Sequence, residues 1–366
     1  MFAYNLSQCR ISYEMTVESP VFVGGAAKSL YKKKGDGSKG RGSDYTVSLS
    51  RTEENNSEIN VTLFYPLLTA SGKASFLIPA STLKGLLRSY GRDVLDDVLK
   101  EEKREVADPW QGREEFENIF IRQTFGTTDQ KGLVAFSPAL TPPIDPTRAL
   151  YSGPLGGSPS GSDRNDFPLR LITQNKLDRV TMATTEGLRT FEALDAGIRL
   201  VGSFELRNFP WWAVGLLGIG IAGLNAGTIR IGGKAGVGFG KVSVKVTRID
   251  LSYHKTVRSD GKIDKTIELP GIGRIVKDMS LELPLLRAAL QDSKADDREG
   301  QAPPLFLLAE DDSITIPPGL HKANANPNPF YGDTMSITSK NGINEFFTQA
   351  FAQVEKSLDA VSTQEG

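Results

Sequence analysis

The residues best placed to do chemistry lie in Ile229–Val244, IRIGGKAGVGFGKVSV, where Gly232, Gly233, Gly236, Gly238 and Gly240 surround Lys234 and precede Lys241. Glycines this close together let the backbone approach a ligand or adopt positive φ. Phosphate is the ligand that such bare N–H groups suit best. A mononucleotide P-loop needs G-x-x-x-x-G-K-[ST] between a strand and a helix. Gly240-Lys241 supplies the G-K, but Ala235 stands where the first glycine belongs, and Val242 replaces the Ser/Thr that would hold magnesium. A dinucleotide fingerprint read from Gly238 and Gly240 puts Ser243 at its third glycine. KVSVKV alternates apolar and polar residues, so a strand is expected after the glycines, with another before them. A glycine-rich hairpin of that kind offers no helix N-terminus to a phosphate.

A second set is cationic. In FLIPASTLKGLLRSYGRDVLDDVLK, Leu83, Leu86, Leu87, Tyr90, Val94 and Val98 form an apolar stripe at helical spacing, with Ser81 or Thr82 as cap. Lys84, Arg88 and Arg92 recur every four residues on another face. Such charges usually make a solvated face; here the cap, the helix dipole and three cations together favour an anion. Basic residues also crowd the Gly/Ser-rich stretch from Lys28 to Asp44, whereas the segment from Ser280 to Gly366 is acidic. That segregation suits a protein that binds a polyanion on one face, although the formal net charge is only -1. Histidine chemistry is poorly served. His254 and His321 are the only two, and both lie late in loop-like sequence. The single cysteine, Cys9, excludes an internal disulfide and a cysteine-cluster zinc site. Catalysis, if any, falls to Asp, Glu, Lys, Arg, Tyr or backbone groups.

The elements that must position these residues read as follows. CRISYEMTVESPVFVGG alternates Ile11, Tyr13, Met15 and Val17 with polar residues, as a half-buried first strand does. A Gly/Lys/Ser loop follows, then short strands in YTVSLS and NVTLFYPLL, then the cationic helix. NIFIRQTFGTTDQKGLVAFSPAL reads as two short strands about a turn, and Thr141–Asp166 as a long loop. An extended hairpin is expected between Val180 and Phe191, then a strand through Ile198, Leu200, Phe204 and Leu206. WWAVGLLGIGIAGL is too short to span a membrane and reads as a buried helix leading into the glycines. Two βαβ-like halves on an antiparallel sheet make an α+β, ferredoxin-like core ending near Ile249. Residues 251–366 read as an insertion or extension that contacts a neighbouring subunit, the alternative being a flexible, acidic appendage. The chain of 366 residues is 39% hydrophobic, enough for a real core, and without signal-peptide features a cytoplasmic protein is expected.

Four stretches together resemble the RAMP superfamily, the RNA-binding backbone subunits of type III CRISPR effector complexes. They are VFVGG at Val21–Gly25, IPASTLKGLLRS at Ile78–Ser89, FGTTDQKGLVAFSPA at Phe125–Ala139, and the glycine stretch. The resemblance covers roughly residues 10–249 and implies an RRM-like core, residues 1–250, with a thumb hairpin at about 180–194. It implies that the glycine loop lines the path of CRISPR guide RNA, with Lys28, Lys84, Arg88, Arg92, Arg179, Gly232, Gly233, Lys234 and Gly236 as RNA-binding residues. It implies that Met182, Leu188 or Phe191 wedges into the guide–target duplex; for Phe191, packing on the protein's own sheet is the stronger expectation. Catalytic members cut target RNA with an aspartate in the loop after the first strand and a divalent metal. By resemblance, that role falls to Asp44 first and Asp36 second, with Asp44 holding Mg2+ or a similar ion; an aspartate in such a loop is more often a turn residue. The RNA 2′-hydroxyl can serve as internal nucleophile, so such chemistry needs no histidine. The expected partners are guide RNA, target RNA and other effector subunits, with no membrane. Two other functions fit the same residues: a free-standing endoribonuclease that processes precursor CRISPR RNA, and a scaffold whose glycine loop only closes the fold.

Overall fold

The computed structural model describes residues 5–24, 28–29, 61–62, 64, 66–68, 73–101, 119–128, 131–143, 168–177, 184–254, 267–279, 311–323 and 331–362. The first strand, β1 (Ser7–Val17), buries Cys9, Ile11, Tyr13, Met15 and Val17 and leaves the residues between them less covered. This period-two pattern is what one helix-covered sheet face dictates. β2 (Lys28–Ser29), β3 (Val61–Thr62), β4 (Pro66–Leu68) and β5 (Ala74–Ile78) precede helix α1 (Ala80–Glu101). Helix α2 (Ile119–Phe125), β6 (Val134–Phe136), β7 (Ala139–Leu140), β8 (Leu169–Leu177), β9 (Thr184–Leu194) and β10 (Arg199–Arg207) follow. Helix α3 (Trp211–Ala226) then leads through the glycine loop into β11 (Val242–His254). β12 (Ile267–Pro270), α4 (Ile272–Met279), β13 (Ser313–Ile316), β14 (Lys322–Ala323), β15 (Tyr331–Ile337) and α5 (Lys340–Ser362) complete the described chain.

Among the described residues the main sheet has nine strands, ordered β14-β15-β11-β1-β10-β7-β5-β4, with β6 also on β10. Every pairing within it is antiparallel. The chain is thus a mixed α/β protein built on an antiparallel sheet. The central register sets Tyr13 opposite Gly202, and a side chain at Gly202 would collide with the tyrosine ring. That ring lies flat across the glycine and stacks on Phe204, with centroids 4.7 Å apart. A second sheet, β2-β3-β9-β8, carries the long hairpin, and β12 pairs with β13.

Helix α3 is buried nearly all round, as its unbroken apolar sequence requires. α1 packs on one flank and α5 on the other, so α5 joins the same apolar core as β1 and α1. The N-terminus of α3 is held by Asp312, which is 2% exposed. Its carboxylate accepts the Trp211 N–H at 2.9 Å and the Gly273 N–H, in α4, at 3.3 Å. Burial pushes this carboxyl up to about 7, against the pull of the two amides.

Several expected elements differ. α1 begins at Ala80, and the Pro79 carbonyl accepts the N–H groups of Thr82 and Leu83, so Ser81 and Thr82 lie in the first turn and do not cap it. Leu95 joins the buried stripe, while Val94 is only half-buried. Ile119–Phe125 is a helix, not a strand: Phe120, Ile121, Thr124 and Phe125 share one side at helical spacing. The hairpin arms are Leu169–Leu177 and Thr184–Leu194, so the expected 180–191 span mixes its second arm with residues outside the described set. No strand precedes the glycines; α3 ends at Gly227 in the left-handed conformation, and the only regular structure in the loop is a 3-10 turn at Ala235–Val237.

Candidate nucleic-acid interface

The glycine loop is folded against its own chain at both ends. Gly232 sits at φ +82, and any side chain there would strike the Phe22 carbonyl. Gly233 donates its N–H to that carbonyl at 2.9 Å. Gly240, at φ +86, donates to Pro20, while its own carbonyl accepts the Ile231 N–H at 2.9 Å. Gly232 and Gly240 are explained by the close approach of the loop to the exit of β1 and to itself, whereas a side chain at Gly233 would only crowd the Phe22 ring at 3.3 Å. The tip is different. Ala235, Gly236, Val237 and Gly238 are exposed, Val237 by 64%. Gly238 needs its glycine for φ +92, but Gly236 has ordinary φ and nothing within 4 Å of where a side chain would stand.

Lys234 does not project from this tip. It holds a left-handed backbone, φ 67, and its Nζ donates to Gln174 Oε1 at 2.7 Å. The same ammonium stands 4.4 Å from the Phe191 ring centroid and 5.9 Å from that of Phe22. Phe22, Phe191, Phe239 and Ile172 form a small apolar cluster beneath it. Phe191 is 2% exposed, so it is not a free wedge: it packs edge-on against Phe22 at 4.6 Å. On the neighbouring position of β9, Glu192 accepts the Phe64 N–H at 2.9 Å, and burial raises its pKa. The hairpin base is therefore clamped from both sides, and Val21 and Leu194 exchange backbone bonds of 2.9 and 3.0 Å beside it. Beyond Gln174 the β8–β9 ladder shifts register, and Leu188 lies in the irregular part.

On α1, Lys84, Arg88 and Arg92 share one half-buried flank, as their spacing requires; Arg92 faces Asp93 at 3.5 Å. Beside them runs an exposed row of small residues, Ser81, Gly85 and Ser89. A side chain at Gly85 would also meet nothing within 4 Å. A glycine inside a helix costs about 0.5–1 kcal/mol relative to alanine, and no packing contact here offsets it. Among the described residues, β1 and β10 offer no stacking platform on the open face of the sheet. β1 presents Gln8, Arg10, Ser12, Glu14 and Thr16 there, and β10 presents Arg199, Val201, Ser203, Glu205 and Arg207, without an aromatic ring. Arg207 pairs with Glu205 at 2.6 Å and Arg248 with Asp250 at 2.7 Å on that side.

Lys28 lies in β2, paired through its backbone with Thr62. Asp36, Asp44, Arg179 and Met182 lie outside the described residues. Among the described residues no three His, Cys, Asp or Glu side chains come together to hold a metal ion. No helix among them is long and apolar enough to cross a membrane. Sequence reasoning missed Phe22, Gln174 and Phe239 as partners of the loop. It also missed Gly85, although a lone glycine amid an otherwise strong helical pattern was a usable signal.

A family model described as RAMPs, the RAMP superfamily, matches residues 14–243 of the chain. Among solved structures, a chain described as Type IV-B CRISPR Complex is similar at 18% identity with a TM-score of 0.38, over 65% of this chain and 90% of that one. A likeness at that TM-score carries no argument. Among curated proteins nothing matches.

Proposed function

The chain belongs to the RAMP superfamily, and from that premise we propose that it is a backbone subunit of a CRISPR effector complex that holds guide RNA by its backbone without reading its sequence. One observation supports this most. Gly236 is a glycine that the fold does not need, at the exposed tip of a loop in which the fold does need Gly232, Gly238 and Gly240. A backbone left bare there suits close approach by a phosphate or sugar. Gly85, beside Lys84 and Arg88, repeats the pattern on α1.

The finer reading follows the motifs. We take β11-β1-β10-β6, with α1 and α3 as crossovers, as a ferredoxin-like core, the β8–β9 hairpin as a thumb, and type III as the class of complex. Met182 and Leu188 remain the wedge candidates, and target cutting rests on Asp44 and then Asp36, with a magnesium-class ion. The scaffold reading has its own support, since the missing side chains of Gly232 and Gly240 serve the fold itself.

The test is a binding titration of the purified chain with unrelated single-stranded RNAs at several salt concentrations. Lys84→Ala with Arg88→Ala should weaken all of them alike and flatten the salt dependence by about one unit per lost phosphate contact. No RNA binding by the unaltered chain, or loss confined to certain sequences, would overturn the reading. In assembled complexes, Asp44→Asn should keep guide RNA while metal-dependent cutting of target falls by orders of magnitude. Unchanged cutting with both Asp44→Asn and Asp36→Asn would leave a non-catalytic scaffold.

A further inference from the structure

We infer that Lys234 is a positioning residue that fastens the glycine loop to the base of the long hairpin, and is not itself a ligand of the polyanion; its geometry stands alone, and its use rests on the RNA-binding reading above. Three separate segments meet under this one side chain. Phe22 comes from the exit of β1, Phe191 and Gln174 from the two hairpin arms, and Phe239 from the loop. The ammonium donates to Gln174 Oε1 at 2.7 Å and caps the Phe191 ring at 4.4 Å. A cation over an aromatic face gains from the ring's negative face, more so where water is partly excluded. The ammonium is therefore already engaged by two groups of the protein itself.

The backbone points the same way. Lys234 and Asn208 are the only non-glycine residues with positive φ among those described. Glycine would take this conformation without strain, as Gly232, Gly238 and Gly240 do nearby. A lysine kept there is explained by what its side chain holds. The point of attachment also matters. Ile172 pairs with Phe191, and Gln174 with Arg189, on the last regular rungs before the β8–β9 register shifts. Lys234 thus grips the hairpin where its ordered base gives way to its irregular outer part. Loop tip and hairpin base would then move as one body, and RNA seated on the tip would meet the hairpin at a fixed angle.

The test uses the full chain with Lys234→Met, which keeps an apolar stem without charge or donor. Lys234→Gly, which also relieves the backbone, serves as a second variant, and melting curves check that both fold. Amide hydrogen exchange at Phe191, Gln174 and Val237–Phe239 should quicken roughly tenfold in both. Lys234→Arg, which can still cap the ring and donate, should restore most of the protection. Affinity for a uridine homopolymer and for a mixed-sequence RNA should fall together with the salt slope unchanged. A slope reduced by about one with exchange unaltered would make Lys234 a phosphate ligand and overturn the inference. No change in either would overturn it as well. If the unaltered chain binds no RNA, the functional reading fails, and hydrogen exchange still decides whether the fastening exists.

Discussion

Two glycine-rich stretches follow one another in this chain. Helix α3 carries Gly215, Gly218, Gly220 and Gly223, and the loop after it carries Gly232 to Gly240. In the helix the missing side chains make room for neighbours. A side chain at Gly215 would lie 2.5 Å from Val354 and 2.6 Å from the Ala350 carbonyl, both in α5. At Gly218 it would meet Phe347 at 2.8 Å, and at Gly220 Leu87, in α1, at 2.6 Å. Gly223 receives the Tyr90 ring. One helix is thereby packed closely on both flanks, at the cost of helix propensity. In the loop the same residue type serves backbone conformation, and at Gly236 it serves nothing visible in the fold. A glycine therefore points to a ligand only after packing and φ have been accounted for.

The sharpest way to break the comparison is to fill the helix. Gly215→Val should destabilise the chain by about 3 kcal/mol, because the clash is partly with backbone that cannot rotate away. Chemical denaturation measures this. An unchanged midpoint would mean that α5 does not seat on α3 in solution. In the loop, Gly240→Ala combines a left-handed backbone with collision at the Ile231 carbonyl. A loss of about 2 kcal/mol is expected by the same assay.

The other end of α3 can be probed by pH. Asp312 has an ordinary value of 3.8, raised to about 7 by burial. Between those values the folded chain keeps a proton that the unfolded chain has released. Its contribution to stability is therefore complete below the lower value and lost as pH rises through the upper one. The loss is read as a melting temperature that falls as pH rises across that window. Asp312→Asn should remove this slope. It should also lower stability at acid pH, since an amide cannot accept both the Trp211 and Gly273 N–H groups. A slope that survives the substitution would assign the titration to another group.

The smallest effect on stability belongs to Gly236→Ala, within about 0.5 kcal/mol. Its effect should appear in RNA affinity instead, as a several-fold loss in the titration described above. Unchanged affinity would remove the observation that most supports backbone recognition at the tip.

Local patterns were readable from the residue order. The alternation of Ile11, Tyr13, Met15 and Val17 announced one buried sheet face, and these residues are buried. The uninterrupted apolar run after Pro210 announced an enclosed helix, and the four-residue spacing of Lys84, Arg88 and Arg92 put them on one flank. Each of these depends on backbone periodicity, which acts over a few residues. Where a side chain ends up was not readable when its partner lay far along the chain. Lys234 was readable as a cation, but not its bond to Gln174, 60 residues away. For Phe191 the sequence already favoured packing over wedging, but not the partners, Phe22 and Phe239, that close around it. Asp312 looked like one charge in an acidic tail, yet it holds the amide of Trp211, 101 residues earlier. The glycines are the plainest case. Having no side chain, each looks the same in the sequence, and its role is set by the atoms that the folded chain brings to within a few ångströms of it.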